Sequence, residues 1–366
     1  MPQNSFTAGP TPNIFFEDNK IGNLKKEVFY MSDEEVDRQL AEFGFPHEPE
    51  FGKAGVYIQT TPGKDQKENR KKNDVVLIPI GCTENHGPML PSGTDTFMVT
   101  TICEGVRRYT LKQGRPVNIA FPPLLYGAHP VGHVGMPETV VVHEETVINM
   151  VEDVMLGLWN AGYRKMILIN NHGQTPSLQA ALQRFAKDYQ LPGIYRYVDW
   201  HRAVREMFAV KEWGGRFGTT FTHACEVETG CGLFGFPDMV NMDYAINRHG
   251  EAILNPEHFD GSVDSWRRPA RWEDSAGESV LAVFATPEGV CGDATAATAE
   301  KLKRPYLCIM KYIVMLIDEY LEQFPPGIVP EAEKMTLRSN ESVAPYIKEP
   351  LSEGWKSVYG IEKLVY

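Results

Sequence analysis

Residues 75–95 read Val-Val-Leu-Ile-Pro-Ile-Gly-Cys-Thr-Glu-Asn-His-Gly-Pro-Met-Leu-Pro-Ser-Gly-Thr-Asp, and their order decides the class of fold. Val75-Val76-Leu77-Ile78 is a continuous apolar run without polar alternation, the pattern of a strand buried on both faces of a parallel sheet. A loop rich in reactive side chains follows at once. In extended backbone Glu84 and His86 project to the same side, because side chains alternate with a period of two. Pro88, Pro91 and Gly93 stiffen a loop that can return Asp95 toward them. Two carboxylates and an imidazole make a mixed oxygen and nitrogen set suited to Zn, Mn or Fe as divalent ions. Taken alone, the same triplet is equally the solvated end of a strand.

Working outward, Met166-Ile167-Leu168-Ile169 is a second buried-strand run, and Asn170-Asn171-His172-Gly173 follows it as the Glu84 loop follows the first. Loops at the carboxyl ends of parallel strands converge on one edge of the sheet, so His172 can approach Glu84, His86 and Asp95. Between these runs the spacing predicts a helix over Phe97–Tyr109, a strand over Val117–Phe121 and a helix over Glu144–Asn160. That last helix carries Val147, Val151, Val154, Met155 and Leu158 on one face. A helix over Ser177–Tyr189, a strand over Ile194–Val198 and a final helix from about Ala296 to Phe324 complete the pattern. Alternating strand and helix signals predict an α/β fold with a parallel or mixed sheet between helices. The core domain is read as 71–324. An irregular arm, 1–70, precedes it with one short helix opened by a Ser32–Glu35 capping box, and a tail, 325–366, follows Pro325-Pro326-Gly327. Residues 255–280 read as a surface excursion.

A third segment, Thr222-His223-Ala224-Cys225-Glu226-Val227-Glu228-Thr229-Gly230, offers Glu228 to a metal shell and His223 to proton transfer. Its carboxylates would also suit a helix N-terminus through the dipole. Tyr126-Gly127-Ala128-His129 and Asp199-Trp200-His201 follow predicted strands and should reach the same edge, where a Trp can cover a ring face and a His can bind hydroxyls.

The 366 residues carry 36 Lys and Arg against 48 Asp and Glu, a formal net charge of −12, which argues against a nucleic-acid backbone binder and a polybasic membrane anchor. With 42% hydrophobic residues the chain can build a large core. The six cysteines, 82, 103, 225, 231, 291 and 308, form no CxxC pair and read as reduced thiols of a cytoplasmic protein. No window reaches the apolar length of a membrane span; Tyr306–Leu321 comes nearest and is broken by Lys311, Asp318 and Glu319.

These blocks resemble the creatininase (creatinine amidohydrolase) family, whose pattern is E-x-H-G-x-x-L-P-x-x-x-D, then N-x-H-G, then H-A-x-x-x-E-T. The matching residues are Glu84, His86, Gly87, Leu90, Pro91 and Asp95; Asn170, His172 and Gly173; His223, Ala224, Glu228 and Thr229. Gly289-Val290-Cys291-Gly292-Asp293 is similar to a fourth block, and the resemblance spans about 72–322. It implies a three-layer α/β/α sandwich with a mostly parallel sheet, usually in a homo-oligomer. It further implies that Glu84, His86, Asp95, His172 and Glu228 hold one or two divalent ions, that His223 transfers protons and that His133 reaches the substrate.

The departures bear on the substrate. Creatinine-cleaving members carry a Glu two residues after the N-x-H histidine; here the residue is Gln174, which puts creatinine and a full second metal site in question. His129, His133, Gln174, Trp200 and His201 are therefore the expected substrate residues of a rebuilt pocket. The chain resembles a sub-branch that includes 3-dehydro-scyllo-inosose hydrolases, which open a cyclic diketone of inositol catabolism by hydrolytic C–C cleavage. A cyclic amidohydrolase of creatinine or a related lactam, and an inert metal-containing sugar-binding or scaffold protein, are the alternatives.

Overall fold

The computed structural model describes residues 6–8, 14–47, 49–120, 124–129, 131–251 and 286–364. Its strands and α-helices in chain order are β1 (Phe6–Ala8), β2 (Phe15–Glu17), α1 (Lys20–Tyr30), α2 (Asp33–Glu42), α3 (Gly63–Lys72), β3 (Val75–Ile80), α4 (Thr94–Lys112), β4 (Asn118–Ile119), α5 (Glu144–Asn160), β5 (Lys165–Asn170), α6 (Thr175–Tyr189), β6 (Ile194–Asp199), α7 (Trp200–Ala203), α8 (Glu226–Gly235), β7 (Asn247–Arg248), β8 (Gly292–Asp293), α9 (Ala299–Gln323), α10 (Ala332–Met335) and α11 (Asn340–Ile347). The central sheet has the order β4-β3-β5-β6, all parallel.

Alternation along the two middle strands builds the layers. Val75, Leu77, Ile167 and Ile169 point into one apolar cluster with residues of α4, α8 and α9. Val76, Ile78, Met166 and Leu168 point into the opposite cluster with residues of α5 and α6. Helices therefore cover both faces, as the unbroken apolar runs require. Pro79 tolerates its central position because its missing N–H faces β4, which has already ended at Ile119. The Pro79 carbonyl still accepts the Leu124 N–H at 3.1 Å.

The chain leaves β3 for β4 in one direction and β5 for β6 in the other. The strand order thus reverses between β3 and β5, and the crevice beyond their carboxyl ends is where such sheets bind ligands.

The opening region holds more than the single predicted helix. The predicted helix is α2, whose Ser32 cap accepts the Glu35 N–H at 3.2 Å, but Glu35 turns its carboxylate to Arg38 rather than completing the box. Helices α1 and α3 lie where composition suggested irregular backbone; Lys-rich α3 buries no side chain, so apolar periodicity was absent there. Leu24, Val28, Val36, Leu40 and Phe43 join the α4–α9 cluster, while Val358 and Ile361 of the tail join the α5–α6 cluster. The predicted 255–280 excursion lies outside the described residues, as does Phe121. No helix among the described residues is long and apolar enough to cross a membrane.

One buried carboxyl ties the opening region to α4. Glu104 accepts the Glu50 N–H at 2.9 Å and the Tyr57 hydroxyl, and burial pushes it up from 4.5 to about 7 against these donors. The folded state then holds an extra proton between those values, so the stabilisation is full below the window and is lost as pH rises through it. The span corresponds to about 3 kcal/mol. Chemical denaturation at about pH 5 and about pH 8 should show wild type losing stability relative to Glu104→Gln at the higher pH; parallel behaviour of the two proteins would disprove the assignment.

Candidate metal centre

The crevice at the β3–β5 switch point gathers the reactive residues of all three segments. Gly81 ends β3 where a Cβ would lie 2.5 Å from the Thr96 backbone, so only glycine lets the N-terminus of α4, with Asp95 in its first turn, pack that close. Gly87 takes φ +73°, turning the chain just after His86. Ala224 also sits in the left-handed region, at φ +49°, a conformation L-residues seldom adopt. That turn presents the Ala224 N–H to Glu228 Oε2 at 2.5 Å.

Glu84 is the centre of the cluster. Its carboxylate lies 3.0 Å from His172 Nδ1, 3.3 Å from His129 Nδ1, 3.7 Å from both His86 Nε2 and His223 Nδ1, and in hydrogen-bond contact with His133 Nδ1. His86 Nε2 also lies 3.7 Å from Asp95 Oδ1 and 3.6 Å from Glu228 Oε2, yet has no hydrogen-bond partner despite complete burial. Asp95 accepts from the Asn171 side-chain amide and from Cys82 Sγ, the latter at 2.7 Å.

Four of the five imidazoles share one arrangement. His86 Nδ1 meets the Glu84 carbonyl at 3.1 Å and His129 Nε2 the Val140 carbonyl at 3.1 Å. His172 Nε2 meets the Ala128 carbonyl at 2.9 Å and His223 Nε2 the Asn85 carbonyl at 2.7 Å. A carbonyl can only accept, so each of these nitrogens carries a proton. In the neutral ring the other nitrogen then presents a lone pair to the carboxylates, which is how a histidine is held for a metal.

Electrostatics give the same reading. Burial alone would depress the His86 and His172 imidazolium ions, but surrounding carboxylates raise them to about 10 and about 9. Burial, with Asp95 and Glu84 nearby, pushes Glu228 up to about 8 even though His86 opposes it. Burial would raise Glu84, yet His172, His223 and His133 hold it well below the ordinary carboxylate range. His223, partly withdrawn from water and beside the His86 and His133 imidazoles, is pushed down to about 3. The pocket calls for positive charge, and a divalent cation meets that need without a second proton on any ring. Donor atoms of Glu84, His86 and Asp95, and of His86, His223 and Glu228, lie within 4.8 Å of one another, so the residues fit such an ion.

Of the predicted site residues, the structure brings Glu84, His86, Asp95, His129, His133, His172, His223 and Glu228 together. Gln174, Trp200 and His201 are buried and engaged by the protein's own groups. The Gln174 amide is engaged by Ala128 N, the Gly81 carbonyl and Asn170 Oδ1. Trp200 is fully buried against Phe208 and Tyr306, so it cannot cover a substrate ring; the apolar core wins the indole even at a strand's carboxyl end. Its Nε1–H donates to Asn171 Oδ1. His201 is held between the Asn171 carbonyl at 2.8 Å and Asp199 at 3.0 Å. Cys82 and Asn171 also reach the cluster through Asp95, each standing within two residues of Glu84 or His172 in the sequence.

Three layers, a switch-point crevice and a buried histidine–carboxylate cluster define an α/β/α protein of the metallohydrolase class. The creatininase (creatinine amidohydrolase) family pattern matches residues 60–317, and the chain belongs to that family of metal-dependent hydrolases. It is 41% identical over 305 residues to 3-dehydro-scyllo-inosose hydrolase of Thermotoga maritima, covering 83% of this chain and 96% of that protein. It is 23% identical to creatinine amidohydrolase of Pseudomonas putida, over 59% of this chain and 84% of that one. A manganese creatininase structure superimposes with TM-score 0.54 at 22% identity, over 74% of this chain and 99% of the other. A zinc–zinc form of a creatininase mutant gives 0.54 at 20%, over the same shares.

Asn171 bridges the Trp200 indole to Asp95 and so fixes the carboxylate. Asn171→Ala should weaken divalent-ion binding about 10- to 100-fold with an unchanged circular dichroism spectrum, read by competition with a chromophoric chelator. Unchanged affinity would show that Asp95 needs no such support.

Proposed function

We propose that the protein hydrolyses a carbon–carbon bond of 3-dehydro-scyllo-inosose or a closely related cyclic polyhydroxy diketone. The observation that carries this reading is the 41% identity to a hydrolase of that name across nearly its full length. Gln174 supports it as well: the position that is a carboxylate in creatinine-cleaving members is here a neutral amide engaged by the protein's own backbone. The working unit is read as residues 71–324 in a cytoplasmic homo-oligomer, with a small polar cyclic substrate as its partner.

Glu84, His86, Asp95, His172 and Glu228 are assigned to the metal, one or two divalent ions of Zn, Mn or Fe. A divalent ion there supplies Lewis acidity, lowering the pKa of water and polarising a carbonyl oxygen. The remaining chemistry falls to the chain. Addition of water to one ring carbonyl gives a tetrahedral carbon, and the ring C–C bond breaks with its electron pair passing to the carbon between the two carbonyls. That enolate takes a proton, leaving an open-chain keto acid; one water is consumed and nothing else is needed. His223 and His133 are suited to carry the proton, taking it up from the attacking water and passing it to that carbon, because their side chains retain 19% and 17% exposure while the other cluster residues are at 8% or below. Asn85, whose carbonyl accepts from His223 Nε2, keeps that ring aimed at the cluster.

An NMR time course with 3-dehydro-scyllo-inosose and creatinine in separate tubes, each with a chelator control, tests the reading. Chelator-sensitive appearance of the open-chain keto acid from the diketone is the expected result. Conversion of creatinine alone would establish an amidohydrolase instead, and binding of the diketone without product would point to an inert sugar-binding protein.

His223→Ala should slow turnover about 100-fold or more while metal content stays near the wild-type value. Parallel loss of both would move His223 into the metal shell.

A further inference from the structure

Gln174 removes a carboxylate from the place where creatinine-cleaving relatives carry one, yet the cluster around Glu84 and His172 has not become apolar. Two other residues stand there. His129 donates Nε2–H to the Val140 carbonyl at 3.1 Å and turns Nδ1 toward Glu84 at 3.3 Å, with its ring centre 4.7 Å from that of His172. Cys82 is fully buried between β3 and Glu84, its Sγ directed at Asp95 Oδ2. One donor atom from each of Cys82, Glu84, His129 and His172 falls within 4.8 Å of the other three.

We propose that Cys82 and His129 are metal ligands, forming with Glu84 and His172 a second cation site whose sulfur and nitrogen donors replace the lost carboxylate. This goes beyond the ligand assignment given above and rests on the metal-dependent reading of the cluster, but not on the identity of the substrate.

Three arguments carry it. Gln174 is unavailable, since its amide oxygen accepts from Ala128 N and its NH2 donates to the Gly81 carbonyl and Asn170 Oδ1. It acts instead as a clamp: by holding Ala128 it fixes the carbonyl that orients His172, and it places His129 one residue further on. Next, His129 has the geometry of a ligand, because its only fixed proton lies on the nitrogen facing away from Glu84. Placement is the third argument: Cys82 Sγ is fully buried in the same group, within 4.8 Å of a donor atom from each of Glu84, His129 and His172. One sulfur, two nitrogens and one oxygen form a tetrahedral set that favours zinc over harder ions.

The test uses the full-length protein loaded with zinc, with metal counted by mass spectrometry and the ligand shell read by X-ray absorption at the zinc edge. Wild type should hold two ions per chain and show a sulfur scatterer at about 2.3 Å. Cys82→Ser should lose that scatterer, and His129→Ala should fall to one ion per chain. A wild-type shell of nitrogen and oxygen alone would overturn the role of Cys82, and full retention of both ions in His129→Ala would overturn that of His129. One ion per chain in wild type would overturn the site. The wild-type spectrum needs no variant to fold, and neither readout depends on turnover, so failure on the diketone would leave this result standing.

Discussion

Three carboxylates buried in one crevice are the constraint on which the rest of the structure depends. Glu84, Asp95 and Glu228 are at most 6% exposed, and like charges removed from water repel one another strongly unless cations lie among them. The molecule meets this with imidazoles that are already committed. Four backbone carbonyls, those of Glu84, Asn85, Ala128 and Val140, each hold one ring nitrogen and leave the other facing the carboxylates. A crevice arranged this way is preorganised for a cation, because the ligands need not reorient when one enters.

The sheet makes that arrangement possible. Parallel strands deliver their carboxyl-end loops to one edge, and the reversal of strand order between β3 and β5 keeps that edge clear of crossing helices. Glu84 and His86 come from the loop after β3, Asn171 and His172 from the loop after β5, and Asp95 from the first turn of α4. Close approach is then limited by main-chain sterics, which is where Gly81 and the left-handed Ala224 enter. The first lets α4 pack against the end of β3; the second accepts unfavourable backbone to bring its N–H onto Glu228.

Much of this was legible in the sequence because it depends on period and order. Unbroken apolar runs at 75–78 and 166–169 gave the two middle strands, and the helix over Glu144–Asn160 matches its predicted bounds. The residues at the carboxyl ends of those strands could be placed near one another from topology alone. Burial of polar-flanked aromatics was not legible. Trp200 follows a strand just as His172 does, but it starts α7 and turns into the α9 cluster, and only tertiary packing distinguishes the two. Helices α1 and α3 escaped for a related reason. Helix α3 has no apolar stripe to signal it, and the stripe of α1, Leu24 with Val28, is too short to stand out from its neighbours.

Gln174 shows how one substitution can carry several consequences. A carboxylate at that position would carry a charge toward the cation; the amide instead offers both a donor and an acceptor, and the structure engages both. Through the Ala128 N–H it draws in the 124–129 loop, and through the Gly81 carbonyl it ties that loop to the end of β3. The same loop carries His129 and supplies the carbonyl that orients His172. With an amide at 174, Glu84 faces the imidazoles of His129, His133, His172 and His223. The fold is shared with creatininases of solved structure, while these contacts are made by this chain's own residues.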